Sequence, residues 1–413
     1  MTDSQRKTFE IGQILRVEIE KIAHGGHFIA RYEGAVLFVR HAIPGEIVEV
    51  KITGIEKSLM RADVVAVIET SPSRVVPACK FAQAGGCGGC DFQHIEIQRQ
   101  RELKSEVIAE QFARIAKMEI DVEVEEVSTP LHWRTRYAAT TSASGELGFK
   151  AAASTKVIAI DSCPVLLPEI DLPTLPRTDI ATQSRVDVAL STRGERMVGV
   201  SKLRNSRTEQ NNPVEIIEGK KAMFFDVATS FGESSYQVSQ GSFWQGNINA
   251  PATLVEAVLG YAELREGDHV MDLYGGVGLF AAAALPFIGA SGKVDLLEAS
   301  SSATRDAAQN FRSTKNVAIH TVDVAKALRN FESADVVLLD PPRTGAGSNV
   351  IEAIAALAPR SIIYIACDPA ALARDTGYLN TEGFHLRAIR AFDLFPMTHH
   401  VESVALFTAD EVS

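Results

Sequence analysis

The chain has 413 residues, and at about 150 residues per domain this length predicts two to three domains. Hydrophobic residues make up 46% and charged residues 23%, which excludes a mainly disordered chain, and the formal net charge of −11 confines any nucleic-acid site to a local basic patch. The sequence has no apolar run of the ~18 residues that span a bilayer and no signal-peptide pattern at its start, so we expect a cytoplasmic protein without a membrane partner.

Residues 1–70 are predicted to form a small β-barrel. Short β-rich runs alternate with glycine-bearing turns, a pattern typical of small all-β barrels. The runs are Ile14–Ile19, Ala35–Arg40, Glu46–Ile52 and Ala62–Ile68, and Gly25-Gly26, Pro44-Gly45 and Gly54 interrupt them. Basic and acidic residues are nearly balanced in this segment, so composition alone favours a structural barrel.

Four of the five cysteines are candidate metal ligands, because a disulfide framework is not expected in a cytosolic chain. Cys87 and Cys90 have the two-residue gap that lets both sulfurs reach one metal, Cys79 adds a third ligand and Cys163 a plausible fourth. Spacing leaves a four-thiolate zinc site and a [4Fe–4S] cluster equally open, since both accept four cysteines.

The middle of the chain combines a helix with a strand-rich, basic region. A long amphipathic helix is predicted within Ile95–Met118, with one apolar side formed by Leu103, Val107, Ile108 and Phe112. Residues 120–240 hold a local concentration of basic side chains, which fits a nucleic-acid surface and a solvated surface equally well. These side chains are Arg134, Arg136, Arg185, Arg193, Arg196, Lys202, Arg204 and Arg207.

From about residue 250, continuous apolar strands alternate with helices, which predicts a parallel α/β sheet. We expect its strands at His269–Leu273, Lys293–Leu297, Ala334–Leu339 and Ser361–Ala366, followed by a hairpin of Leu386–Phe392 and Val401–Phe407.

A glycine-rich turn after the first of these strands indicates a nucleotide cofactor. Tyr274-Gly275-Gly276-Val277-Gly278 leads into an Ala-rich helix, and glycines there allow a ligand to approach the backbone closely. Glu298 ends the next strand, where a carboxylate can bind the ribose hydroxyls of an adenosine. The turn also fits a loose dinucleotide fingerprint. Asp272 favours S-adenosylmethionine over NAD, because that cofactor carries an ammonium and no pyrophosphate.

Three polar residues from distant segments are predicted to meet at the carboxyl edge of the sheet. Asp340 and Cys367 each follow a parallel strand. Glu402 lies at the start of Val401–Phe407, which reaches the same edge if the terminal hairpin adds an antiparallel strand. A thiolate can add to C6 of uracil and make C5 nucleophilic toward a methyl donor, and a carboxylate can then remove the C5 proton. An inert buried cysteine and a solvated glutamate are the alternatives. Asp-Pro-Pro also occurs in amino-methyltransferases, but an aromatic residue normally follows it there, whereas Arg343 follows here.

Together these motifs resemble those of the RNA uracil-C5 methyltransferases, which make 5-methyluridine in ribosomal and transfer RNA. The likeness rests on Pro44-Gly45-Glu46 in a TRAM-like barrel, the cysteine cluster, Phe243-Trp244-Gln245-Gly246-Asn247, Asp272-Leu273-Tyr274, Asp340-Pro341-Pro342-Arg343, Cys367-Asp368-Pro369, and Phe395-Pro396 with His400-Val401-Glu402-Ser403. The chain departs from the family at Gly275, Leu279 and Met397, where Cys, Asn and His are common, and in the longer gap between Cys79 and Cys87.

The resemblance implies residue roles and a fold. Cys367 is then the nucleophile and Glu402 the proton acceptor. Gln245, Tyr274, Glu298 and Asp340 are the contacts of S-adenosylmethionine, and the choice of Gln245 rests on the resemblance alone. The resemblance also favours a [4Fe–4S] cluster over zinc at the four cysteines. The implied fold is α/β: a class I (Rossmann-like) methyltransferase domain preceded by a small β-barrel and a mixed central domain.

We expect domains at residues 1–70, 71–235 and 236–413, with the helix near residues 95–118 packed on the last of them, and a monomer. The expected substrate is RNA, with 23S rRNA favoured and tRNA as the alternative. A noncatalytic iron–sulfur protein that binds RNA is the alternative from a different functional class.

Overall fold

The computed structural model describes residues 9–56, 59–175, 180–203 and 213–410. Arg204 and Arg207 of the predicted basic set lie outside these ranges. Within them, no helix combines the length and apolar character that crossing a membrane requires. The β structure comprises a closed barrel, a six-stranded sheet, a separate hairpin and an eight-stranded sheet.

The N-terminal barrel has five strands in the order β1-β2-β3-β5-β4 and closes where β1 pairs with β4. Its strands are β1 (Ile14–Ala23), β2 (His27–Tyr32), β3 (Ala35–Arg40), β4 (Ile47–Glu56) and β5 (Leu59–Glu69). Leu15, Val17 and Ile19 point inward and alternate with exposed residues, as a strand with one buried face requires. The predicted barrel is confirmed, but β2 was not predicted, and Gly54 lies at an irregularity within β4 rather than between strands.

Helix α1 (Ile97–Gln111) joins the barrel to the C-terminal sheet. It begins after Glu96, whose side chain accepts a hydrogen bond from the backbone N–H of Arg99, and a π-helical turn extends it to residue 116. Leu103 and Val107 belong to the barrel core, whereas Ile108 and Phe112 belong to the core of the C-terminal domain. The two residues of each pair are four apart and lie on the same side of the helix. Adjacent residues point about 100° apart, so the pair that begins at Leu103 and the pair that ends at Phe112 face different directions. The predicted single apolar side therefore serves two different cores.

The central region contains a six-stranded sheet in the order β12-β11-β10-β7-β8-β9 and a hairpin of β13 and β14. The strands are β7 (Arg136–Thr141), β8 (Leu147–Lys150), β9 (Val157–Ala159), β10 (Ser184–Leu190), β11 (Arg196–Lys202), β12 (Glu215–Glu218), β13 (Ala222–Thr229) and β14 (Gly232–Ser239). The pairings within the six-stranded sheet are antiparallel.

The C-terminal sheet has the order β17-β16-β15-β18-β19-β21-β20-β6. Its strands are β6 (Val124–Glu126), β15 (His269–Leu273), β16 (Lys293–Glu298), β17 (Val317–Thr321), β18 (Val336–Leu339), β19 (Ser361–Ala366), β20 (Phe384–Asp393) and β21 (Glu402–Ala409). The helices are α2 (Ala250–Ala262), α3 (Leu279–Ile288), α4 (Ser301–Asn310), α5 (Val324–Ala327), α6 (Ser348–Ala356) and α7 (Pro369–Thr381).

Hydrophobic cores cover both faces of this sheet, which explains why its central strands are continuous apolar runs. Strands β15 to β19 are parallel, and β21 is antiparallel to both β19 and β20. The predicted α/β class and the terminal hairpin are confirmed, whereas β17 was not predicted. Strand β6 comes from the middle of the chain and pairs with β20. The domain boundary at residue 235 stays a prediction.

Candidate active site

The predicted site residues lie at the carboxyl edge of the C-terminal sheet. Tyr274 directly follows β15 in a left-handed conformation (φ 60°), and Glu298 is the last residue of β16. Asp340 and Cys367 directly follow β18 and β19, and Glu402 begins the antiparallel strand β21. Parallel strands end at one edge, and an antiparallel neighbour begins there, so five distant segments supply polar groups to a single region.

A cleft at this edge brings together Gln245, Tyr274 and Asp340 beside the glycine turn. Glu298 lies next to it, since its carboxylate accepts hydrogen bonds from the backbone N–H groups of Gly276 (3.2 Å) and Ser300 (2.5 Å). The four residues predicted as cofactor contacts therefore surround one turn. Their role in binding stays a prediction.

Long-range hydrogen bonds hold the segment that carries Gln245. The carboxylate of Asp306 in α4 accepts from the backbone N–H of Ser239 (2.8 Å) and from the hydroxyl of Ser242 (2.7 Å). The Arg136 guanidinium donates to the carbonyl oxygens of Ser242 and Trp244. No local pattern in the sequence marks Gln245, because it reaches the cleft through partners from distant segments.

Three acidic side chains give the cleft its electrostatic character. Burial raises the pKa of Asp340 to about 7. Burial, together with the charges of Asp340 and Glu298, also raises the pKa of Asp272 to about 7, although the backbone N–H of Ala281 donates to it. Oδ1 of Asp272 is buried without a hydrogen-bond partner in the described chain. A ligand with positive charge would stabilise the ionised forms of these buried carboxylates, and S-adenosylmethionine carries both an ammonium and a sulfonium. The residues present therefore fit that cofactor.

Cys367 lines a second cavity of about 210 Å³. Burial raises the pKa of its thiol to about 12, and the charges of Glu402 and Asp340 add to the effect. Glu402 is only 5% exposed, and burial together with the charge of Asp340 raises its pKa well above the usual value. Strand β19, which Cys367 follows, lies between β18, which Asp340 follows, and β21, which begins at Glu402, so the three groups share one edge of the sheet. Asp340 also lines the cofactor cleft.

Arg343 supplies positive charge to this cavity and was not among the predicted site residues. Its charge lowers the pKa values of both Cys367 and Glu402, against the larger effect of burial. The loop that carries it is held by the buried Asp375, which accepts hydrogen bonds from the backbone N–H of Ala346 (2.7 Å) and the Tyr364 hydroxyl (2.7 Å). The position of Arg343, directly after Asp-Pro-Pro at a strand end, was the available signal in the sequence.

The four predicted metal ligands line another cavity, of about 250 Å³. Cys163 reaches it from the loop after β9, about seventy residues beyond Cys90 in the sequence. Burial raises the pKa of Cys90 to about 12 and that of Cys163 to about 11, and neighbouring cysteine thiols add to both shifts. Among the described residues, no three His, Cys, Asp or Glu side chains are already arranged to hold a single metal ion. The metal centre stays a prediction.

Part of the predicted basic set forms a groove of about 1200 Å³ along the central sheet. Its basic lining residues are Arg134, Arg136, Lys150, Arg185, Lys202, Lys221 and Arg305. Asp187 is the one acidic residue in that described lining. Arg193 and Arg196 lie outside the groove and form ion pairs with Asp226 and Glu218. The described members of the basic set therefore divide between the groove, where Arg185 pairs with Asp187, and the ion pairs of Arg193 and Arg196 outside it.

The strand order, the glycine turn and the acidic cleft define a class I, S-adenosylmethionine-dependent methyltransferase. Residues 8–65 match the TRAM domain model, and residues 226–410 match the model described as tRNA (Uracil-5-)-methyltransferase. A relative from Streptomyces avermitilis, described as an uncharacterized RNA methyltransferase, is 39% identical over 96% of this chain and 98% of its own. The chain therefore belongs to the RNA uracil-C5 methyltransferase family.

Two further comparisons agree with this assignment. The 23S rRNA (uracil(1939)-C(5))-methyltransferase RlmD of Shewanella amazonensis is 29% identical over 96% of both chains. The crystal structure of the Pyrococcus abyssi tRNA (uracil-54, C5)-methyltransferase in complex with S-adenosyl-L-homocysteine superimposes with a TM-score of 0.71 at 21% identity. That match covers 95% of this chain and all of the other, and it shows that the two chains share their fold over nearly the whole length.

Proposed function

We propose that the protein methylates C5 of a uridine in 23S rRNA through a covalent bond between Cys367 and C6 of the base. The observation that carries the proposal is the grouping of Cys367, Glu402 and Arg343 beside Asp340, which also lines the cofactor cleft. A nucleophile, a base and a cation are the groups this chemistry requires. The similarity to the Shewanella enzyme supports 23S rRNA as the substrate.

In the proposed reaction, Cys367 loses its thiol proton to solvent, Sγ bonds to C6, and the electron pair of the C5–C6 double bond moves onto C5 and O4. The Arg343 guanidinium stabilises the charge that develops on the ring. S-adenosylmethionine supplies an electrophilic methyl group. Once C5 carries that methyl group, the carboxylate form of Glu402, which the charge of Arg343 favours against burial, accepts the C5 proton. The double bond then forms again, and the Sγ–C6 bond breaks to release Cys367 as a thiolate.

Binding of the cofactor in the cleft is expected to affect the protonation of the Cys367 thiol. With a pKa near 12, Cys367 is a protonated thiol at neutral pH. Burial is the main cause of this high pKa, and nearby carboxylates add to it. Positive charge bound beside Asp340 would offset only the contribution of the carboxylates and would shift the balance toward the thiolate. Gln245, Tyr274, Glu298 and Asp340 would hold the cofactor in the cleft.

The basic groove is the proposed path for the RNA backbone. It concentrates positive charge on a protein of net charge −11, and Phe243 lines both this groove and the cofactor cleft. Phosphate contacts of this kind position RNA without reading its sequence. Because a base inside a helix cannot reach Cys367, the target uridine must be unstacked and turned into the cavity. We propose that the protein acts as a monomer.

We further propose that Cys79, Cys87, Cys90 and Cys163 hold a [4Fe–4S] cluster. Four thiolates can hold either zinc or an iron–sulfur cubane. All four thiols line one cavity of about 250 Å³, which has room for a cluster, and the family resemblance favours the cluster over zinc. Anaerobically purified protein should be brown and contain about four iron atoms per chain. One equivalent of zinc without iron would contradict the cluster.

Mapping of 5-methyluridine by mass spectrometry tests the function. RNA from a deletion strain should lack one 5-methyluridine of 23S rRNA, and the purified protein should restore it. If the nucleoside is lost from tRNA instead, the substrate is tRNA and the 23S rRNA proposal is wrong. If no RNA loses 5-methyluridine, the result favours a noncatalytic RNA-binding protein.

Two substitutions test the covalent step. Cys367→Ala should abolish methylation and retain RNA binding, because it removes one sulfur at a cavity wall. Glu402→Gln should accumulate a protein–RNA adduct visible on a denaturing gel, since addition proceeds and proton removal stalls. Methylation by Cys367→Ala at the wild-type rate would refute the covalent mechanism.

A further inference from the structure

The turn between β1 and β2 of the barrel forms one wall of the cavity that holds Cys367. His24, Gly25 and Gly26 line that cavity together with residues of the catalytic domain. Nε2 of His24 lies 3.0 Å from Oδ2 of Asp368, the residue that follows Cys367. The barrel therefore contacts the segment that carries the nucleophile.

Asp368 is held from two sides. Its Oδ1 accepts the backbone N–H of Ala371 (2.8 Å) and so caps the N-terminus of α7, while its Oδ2 faces His24. Burial raises the pKa of Asp368, but the hydrogen bonds from His24 and Ala371 outweigh burial and hold it below the usual value. Asp368 is thus a carboxylate shared between the barrel and the helix that follows Cys367.

The same turn also rests on the segment before Glu402. Gly26 has φ +76°, and a Cβ there would lie 2.4 Å from Oδ2 of Asp91 and 2.7 Å from Nδ1 of His399. Asp91 accepts from both the backbone N–H (2.9 Å) and the ring Nδ1 (2.5 Å) of His399. The His399 ring in turn contacts His400, 4.1 Å away between centroids. This close approach leaves no room for a side chain at position 26.

We propose that His24 is a positioning residue, which through Asp368 holds the barrel turn over the Cys367 thiol and so completes the pocket that receives an extruded pyrimidine. That the ligand is a pyrimidine rests on the proposed function, whereas the contact between His24 and Asp368 does not depend on it. With the turn in place, reagents reach the thiol only through the cavity. Without the contact, the turn moves away, and the nucleophile loses both its cover and one restraint on its position.

Alkylation of Cys367 by iodoacetamide, followed by peptide mass spectrometry on the full-length protein without RNA or cofactor, tests the cover directly. His24→Ala should be alkylated at least about threefold faster than wild type, because the Cys367 thiol is only partly exposed and access to it limits the rate. His24→Gln retains a hydrogen-bond donor and should stay near the wild-type rate.

His385→Ala is the matched control. Its histidine pairs with Asp410 at 3.1 Å and has the same 38% side-chain exposure as His24, but it lies outside the cavity. This variant should leave alkylation unchanged. If His24→Ala does not fold, Gly26→Ala provides a second route, because its Cβ pushes the turn away and should also speed alkylation.

Steady-state methylation provides the second readout. His24→Ala should lower kcat about tenfold with the KM for RNA changed less than about twofold, since a displaced nucleophile slows chemistry more than binding. Wild-type rates of alkylation and methylation in folded His24→Ala would overturn the proposal while leaving the methyltransferase function intact. If the wild-type protein methylates no RNA, the function fails, and the alkylation comparison still decides the role of His24.

Discussion

Lys104 and Asp393 form a buried ion pair between α1 and the end of β20. Their side chains are 1% and 2% exposed, and Nζ of Lys104 lies 2.5 Å from Oδ1 of Asp393. Nζ also donates to the carbonyl oxygen of Phe395 (3.2 Å). Lys104→Met keeps most of the side-chain volume and removes the charge, so Asp393 would remain as a buried carboxylate without its counterion.

The expected cost follows from this burial. Removing one partner of a buried pair typically destabilises a protein by about 3–5 kcal/mol, because the remaining charge has no compensation. For a domain of this size that corresponds to a fall of roughly 10 °C in Tm. Adding Asp393→Asn removes the stranded charge and should recover at least ~2 kcal/mol in a double-mutant cycle.

Differential scanning fluorimetry and urea unfolding, followed by the tryptophan signal, measure these effects. Lys80→Met is the matched control, because Lys80 pairs with Asp161 at 2.7 Å but both side chains are more than two-thirds exposed. It should leave the midpoint unchanged. An unchanged Tm for Lys104→Met, or a double variant less stable than the single one, would refute the reasoning from burial.

Further predictions concern the cofactor cleft and the groove. Because the pKa values of Asp340 and Asp272 are both raised to about 7, the affinity for S-adenosylmethionine should rise at least roughly tenfold from pH 6 to pH 8 as these carboxylates ionise, and calorimetry should show a shallower pH profile for Asp340→Asn than for the wild type. Lys221→Ala should weaken RNA binding and reduce its salt slope by about one, whereas Arg193→Ala, outside the groove, should change neither in fluorescence anisotropy. Asp306→Asn should weaken cofactor binding and lower thermal stability by about 1–3 kcal/mol, since it loosens the segment that carries Gln245; an unchanged affinity would contradict that role.

The catalytic sheet was predictable because its strands are buried on both faces. Such strands are continuous apolar runs, and the residues that follow them lie at one edge of the sheet. Asp340 and Cys367 were therefore placed correctly from their position after an apolar run, and Glu402 from its place at the start of the last strand. Local burial and strand direction carry this information, and both are properties of short segments.

Contacts between distant segments were not predictable in the same way. The two i, i+4 pairs of α1 form a single apolar pattern in the sequence, and only packing assigns Leu103 to the barrel and Ile108 to the catalytic domain. Arg185 and Arg193 are equivalent by composition, and only the sheet places one in the groove and the other beside Asp226.

By itself, the sequence determined the type of sheet, the glycine turn after its first strand, and the placement of Cys367 and Glu402 at strand ends, since each depends on residues near strand ends. Tertiary structure alone decided that β6, from the middle of the chain, pairs with β20, and that His24 lies against Asp368 more than three hundred residues away. A hydrogen bond between segments so far apart leaves no periodic pattern and no local change of composition in the sequence. Its geometry exists only once the barrel, α1 and the catalytic sheet have packed together.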